Sequence, residues 1–125
     1  MTDETLMLRQ VHPSFMKEDR PASSAFSPTP KDHGQLSVDH GDLISAEESY
    51  KRYTEVQHLP SEGVWAVSAM EARETETPAA PSPLAANPAH CHLDFTAHGR
   101  NKQRKLAKVL RSHAVTRGRL YPDSD

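Results

Sequence analysis

The sequence predicts a small α+β domain with three or four short strands, two helices and extensive loops, and three observations carry that expectation. Cys91, Leu93 and Phe95 alternate with His90, His92 and Asp94, the period of a half-buried strand. Two other segments, one after Ser45 and one from Asn101 to Arg117, repeat apolar residues at helical spacing. Much of the remainder is punctuated by ten prolines and five glycines, the residues of turns and connections. At 125 residues the chain has the length of one domain. Its apolar fraction of 35% falls below the usual figure of about 45–50%, which also counts Gly, so the core is expected to be modest.

In chain order, the β-branched and aliphatic residues from Thr5 to Val11 predict a strand. It stops at His12-Pro13, because the residue before a proline is pushed out of the helical region. Residues 20–34 hold three prolines, with Phe26 as the only bulky apolar side chain, and are expected to form a loop pinned to the core by that ring. Leu36-Ser37-Val38 permits another strand before a turn at Asp39 to Asp42. Ser45 and Glu48 then stand at the capping-box spacing, which satisfies two orphan backbone donors and starts a helix expected to reach residue 56. Ala46, Tyr50 and Tyr53 mark its inner face.

Val64 to Met70 is apolar on both alternating faces, as a central strand covered on both sides would be. Residues 72–89 change character, with four prolines among Ala and Ser, and predict a mobile insert between two parts of the domain, 1–71 and 90–121. The terminal helix is expected to start at Asn101, to pack through Leu106, Val109, Leu110 and Ala114, and to stop at Gly118.

Charge is the feature that points toward function. Residues 1–99 carry seven Lys/Arg against fifteen Asp/Glu, whereas residues 100–125 carry eight against two, so a near-neutral chain is strongly dipolar. Cations in the first turn oppose the helix macrodipole, which makes Lys102, Arg104 and Lys105 poor choices for helix stability alone. Arg104, Lys105, Lys108 and Arg111 are therefore the candidate binding residues, with an acidic protein as the expected partner. A nucleic acid is the alternative, held by phosphate contacts. No interleaved aromatic residue is available for base stacking, and the pI is about 6.4.

Two weaker constellations remain. His90, His92 and Asp94 put three potential metal ligands on one strand face, and their order resembles a metal-binding stretch of the metallo-β-lactamase superfamily over five residues. Phe95 stands where that family continues with a histidine, and the chain is too short for its fold, so a metal is not expected. Arg9 and His12, with nearby hydroxyls, are the candidates for a small nucleotide-acting enzyme in which His12 serves as acid or base. No Gly-rich cradle or nucleophile elbow accompanies them, and neither a cofactor nor catalysis is expected.

The single cysteine, Cys91, removes intramolecular disulfides and favours a reducing, cytoplasmic setting. Neither a signal peptide nor a membrane span is expected. The wording from Leu8 to Phe15, from Ser24 to Asp32 and from Leu36 to Val38 resembles small bacterial proteins of uncharacterised activity. That resemblance extends into Gly63 to Met70 and the terminal helix; it implies a bacterial source and carries over no reaction. The expected function is thus a non-enzymatic intracellular accessory protein docking an acidic partner through its terminal helix.

Overall fold

The structure, a computed structural model, describes residues 1–123. Strand β1 (Leu6–Gln10) leads through a 3-10 turn at Pro13–Phe15 into a short ribbon of β2 (Met16–Lys17) and β3 (Arg20–Pro21). Two further 3-10 turns, Ser23–Phe26 and Pro30–Asp32, precede β4 (Gln35–His40). Helix α1 (Ala46–Lys51) runs directly into a π-helical turn, Arg52–Val56. Then come β5 (Val64–Ser68), α2 (Ala69–Glu74), β6 (Ala79–Pro81), β7 (His90–Asp94) and α3 (Arg100–Arg117). Five strands form one antiparallel sheet in the order β5-β1-β4-β7-β6, which makes this an α+β domain.

Strand alternation sorts the sheet into two faces. On one face Met7, Val11, Leu36, Val38, Trp65, Val67, Cys91, Leu93 and Phe95 meet Leu106, Ala107, Leu110 and Ala114 of α3 in the main apolar cluster. Phe26, the one large apolar residue of its loop, is buried there as expected. On the other face Leu8, Val64 and Ala66 form a smaller cluster against Ile44, Ala46 and Tyr50. Tyr121 closes it edge-to-face on Tyr50, with ring centroids 5.2 Å apart. Here Gly63, at φ +146°, lets the returning C-terminal segment pass so closely that a Cβ would lie 2.8 Å from the Tyr121 carbonyl oxygen.

The register explains a gap that matters below. β1 pairs with β5 along its whole length, from Leu6↔Ser68 to Gln10↔Val64. Against β4 it pairs only at Met7↔His40 and Leu8↔Asp39, after which the two strands part.

Several expectations need correction. The α+β class is as expected; the main sheet has five strands, and the short helix α2 accompanies the two longer helical segments that were expected. The strand expected over 64–70 ends at Ser68, because Ser68 and Glu71 form a second capping box and start α2. Met70 is left 40% exposed. Within 72–89, expected to be a mobile insert, Ala79–Pro81 pairs with β7 as an edge strand and a turn is bridged at Leu84 and Asn87. Edge placement is what allows Pro81 there, since a proline has no N–H to give to a ladder. Helix α3 begins at Arg100 on Gly99 as N-cap, two residues before Asn101, the N-cap expected from the sequence. Ala107, not Val109, completes its buried stripe, and Val109 is 44% exposed.

Candidate functional site

Helix α3 is held to the sheet by its apolar stripe, which fixes what its other faces present. Arg100, Lys102, Arg104, Lys105 and Lys108 are all exposed. Among the described residues none of the five enters an ion pair. The first turn contains no acid, and Gly99 supplies no side-chain cap. Arg100, Arg104 and Lys108 stand at i, i+4 and i+8, so they form one row of about 12 Å along the helix at 1.5 Å per residue. Exposed Val109 interrupts the positive surface beside Lys105 and Lys108 with an apolar side chain.

Arg111, expected with these cations, is employed otherwise: its Nε donates to the Pro21 carbonyl at 2.8 Å and fastens α3 to β3. Arg117 is also committed, with Nη1 and Nη2 donating to the two Glu71 carboxylate oxygens at 2.8 and 3.1 Å. Burial works against ionisation of Glu71. Hydrogen bonds from Arg117 and the Ser68 backbone, with the charges of Arg117 and His113, nevertheless hold its pKa below the ordinary value.

His90, His92 and Asp94 do project from the same side of β7, opposite buried Cys91 and Leu93. His90 and Asp94 are engaged separately. His90 Nδ1 lies 2.9 Å from the Ser82 carbonyl oxygen and its Nε2 lies 3.2 Å from Ser37 Oγ. Asp94 accepts from the Thr96 hydroxyl and backbone N–H, which hold its pKa down. Among the described residues no group of three His, Cys, Asp or Glu side chains gathers in a way that could hold a metal ion. Burial pushes the Cys91 thiol up, away from the reactive thiolate.

Arg9 and His12 are not brought to one site. His12 caps the Pro13–Phe15 turn, its Nδ1 accepting from the Ser14 N–H at 2.9 Å. Arg9 instead fills the gap where β1 and β4 part. Its Nε donates to the Ala25 carbonyl at 2.9 Å and its Nη1 to the Ser37 carbonyl at 2.9 Å, substituting for ladder bonds that the splayed strands do not make.

Through that gap Arg9 reaches a cleft of about 330 Å³ on the sheet face opposite α3, between β4, β7 and the α1 segment. Its walls include Arg9, Asp39, Arg52, Tyr53, Asn87 and His90. Asp39 is the hub. Its Oδ2 accepts from Ser49 Oγ at 2.7 Å and Arg52 Nη2 at 3.1 Å, and its Oδ1 accepts from Asn87 Nδ2 at 2.8 Å. Gln10 extends the network, donating to Ser49 Oγ at 2.8 Å while accepting from Ser61 Oγ at 2.9 Å. The π-helical turn places consecutive Arg52 and Tyr53 on this one cleft, a backbone form that occurs disproportionately at functional sites.

Of these residues the sequence reading singled out Arg9 and His90, but for different constellations. Two signals for the rest were present: Asp39 directly after the Leu36-Ser37-Val38 alternation, and a basic residue beside an aromatic one late in a short helix. Neither specifies a cleft. No family model matches the chain, and no curated protein or solved structure shows significant similarity to it.

Proposed function

We propose that the chain is a non-enzymatic, intracellular docking protein that takes an acidic polypeptide on the outer face of α3, through Arg104, Lys105 and Lys108. The observation that carries this reading is the set of five exposed cations, Arg100, Lys102, Arg104, Lys105 and Lys108, none of which enters an ion pair among the described residues. Cations in the opening turns work against the macrodipole, and an acidic partner repays that cost with complementary charge. Exposed Val109 beside Lys105 and Lys108 favours a polypeptide over a phosphate backbone, because it offers an apolar contact that a bare phosphate row has no use for. No helix among the described residues is long and apolar enough to cross a membrane. A single buried, unpaired Cys91 suits a reducing compartment.

The test is a fluorescence-anisotropy titration of an acidic peptide with interspersed leucines, a single-stranded RNA and a duplex DNA, each at low and moderate salt. The peptide is expected to bind, and the double variant K105E/K108E to weaken it by about tenfold, the ratio for roughly 1.4 kcal/mol. RNA or DNA binding tighter than the peptide, with affinity falling steeply with salt, would transfer the cations to nucleic-acid recognition. No binding of any probe at low salt would remove the docking reading.

A further inference from the structure

We propose that the cleft on the face opposite α3 is a binding site for a small molecule bearing an oxyanion, a carboxylate or a phosphate, with Arg9 and Arg52 as its cationic walls.

Charge balance is the first argument. Two guanidiniums line the cleft and one carboxylate, Asp39, answers them. That carboxylate is already shared among Ser49, Arg52 and Asn87. Arg9 enters no ion pair among the described residues, and both of its hydrogen bonds end on neutral carbonyls. Burial pushes its pKa down, against the opposing Coulombic influence of Tyr53 and Asp32. A partly buried guanidinium with no carboxylate in ion-pair contact is costly to desolvate, and a bound anion is the chemical species that offsets the cost.

Unused donors are the second argument. Arg52 gives Nη2 to Asp39, while its Nε is buried with no hydrogen-bond partner. Buried donors of this kind are rare in native proteins and mark places where a partner is missing. Arg9 bonds through Nε and Nη1, which leaves Nη2 of a fork suited to a carboxylate or phosphate. The volume of about 330 Å³ lies at the small end of ligand pockets. Leu8 and Leu84 in the wall supply apolar contact for the body of such a molecule.

Amide chemical-shift mapping on the full chain tests the idea, with sodium benzoate and inorganic phosphate as probes and sodium chloride as the ionic-strength control. Saturable shifts at Arg9, Ser37, Arg52 and Tyr53 are expected with at least one probe, and which one answers identifies the head group. A site with a Kd of about 1 mM would be roughly nine-tenths filled at about 10 mM probe. Arg52→Gln, which keeps an N–H for Asp39 and removes the charge, should weaken binding at least about tenfold. Because Arg9 also ties β1 to β4, Arg9→Lys serves as the second variant and should weaken binding while a spectrum of the folded protein persists. Shifts confined to α3, no saturable shift with either probe, or an affinity unchanged in Arg52→Gln would each overturn the proposal. None of these outcomes depends on what α3 binds.

Discussion

The two faces of the sheet are built from the same strands and have little else in common. The α3 face is closed: Leu93, Phe95, Val11 and Leu110 have essentially no exposed surface, and the cluster contains no charged side chain. The opposite face is apolar only at its β5 end, around Leu8, Val64 and Ala66. Toward β7 it becomes a network of Asp39, Arg52, Ser49 and Asn87 around open space. A small chain with a modest apolar fraction thus concentrates its burial on one face and leaves the other to polar groups that cost stability to hold in place. Arg9 is the residue through which the two faces communicate, since it bonds to Ala25 beneath α3 and borders the cleft opposite.

The sharpest way to break this contrast is to damage each face in turn. Phe95→Ala, at a site with 0% exposure, should cost about 3–5 kcal/mol in a urea titration, the usual loss for a fully buried ring. Asp39→Ala should cost less, about 3 kcal/mol at the lower end for a broken buried pair, because the Asp39 and Arg52 side chains retain 13% and 18% exposure. If the Asp39 variant proves the more damaging, the polar face is the structural keystone and the contrast drawn above is reversed.

Smaller effects sharpen the picture at the edges. The Glu71 pKa is held below its ordinary value, so its contribution to stability is present above the unfolded value and is lost as pH falls through the folded one, below about pH 4.5. Glu71→Gln should therefore lower stability near neutrality and flatten the acid limb of a stability–pH curve, the two proteins converging at low pH, as followed by thermal melts. Least of all, Lys102→Glu exchanges an exposed first-turn cation for an acid and should stabilise the fold by about 0.3–1 kcal/mol. A destabilised Lys102→Glu protein would mean that this cation has a structural contact, which would weaken the case for a docking surface.

Elements whose signals are local could be read from the chain. Ser45 and Glu48 announced α1, and the alternation from His90 to Phe95 announced β7 with the correct residues inside. The second capping box, Ser68 and Glu71, was equally visible, but the continuous apolar run through Met70 argued for a longer strand and masked it. Val109 sits at a position a helical stripe could include. The packing of α3 against the Ser23–Phe26 turn rotates the buried stripe toward Ala107, a tertiary preference that no periodicity contains. The cleft was illegible for a related reason. Arg9, Asp39, Arg52 and His90 come from four separate segments, and the placement of Arg9 depends on where β1 and β4 stop pairing.

The prolines around β6 have a consequence beyond shaping a connection. An outermost strand ordinarily displays unpaired backbone donors that invite a stranger's strand to add on, the first step toward disordered association. Here the outermost strand is three residues long and ends in Pro81, with Pro78 and Pro83 close on either side. The other margin of the sheet is occupied by the chain's own tail, where the Val64 N–H donates to the Tyr121 carbonyl at 2.8 Å and the Leu120 N–H to the Val64 carbonyl at 2.8 Å. Both margins are thus guarded against templated growth, one by missing donors and one by prior occupation.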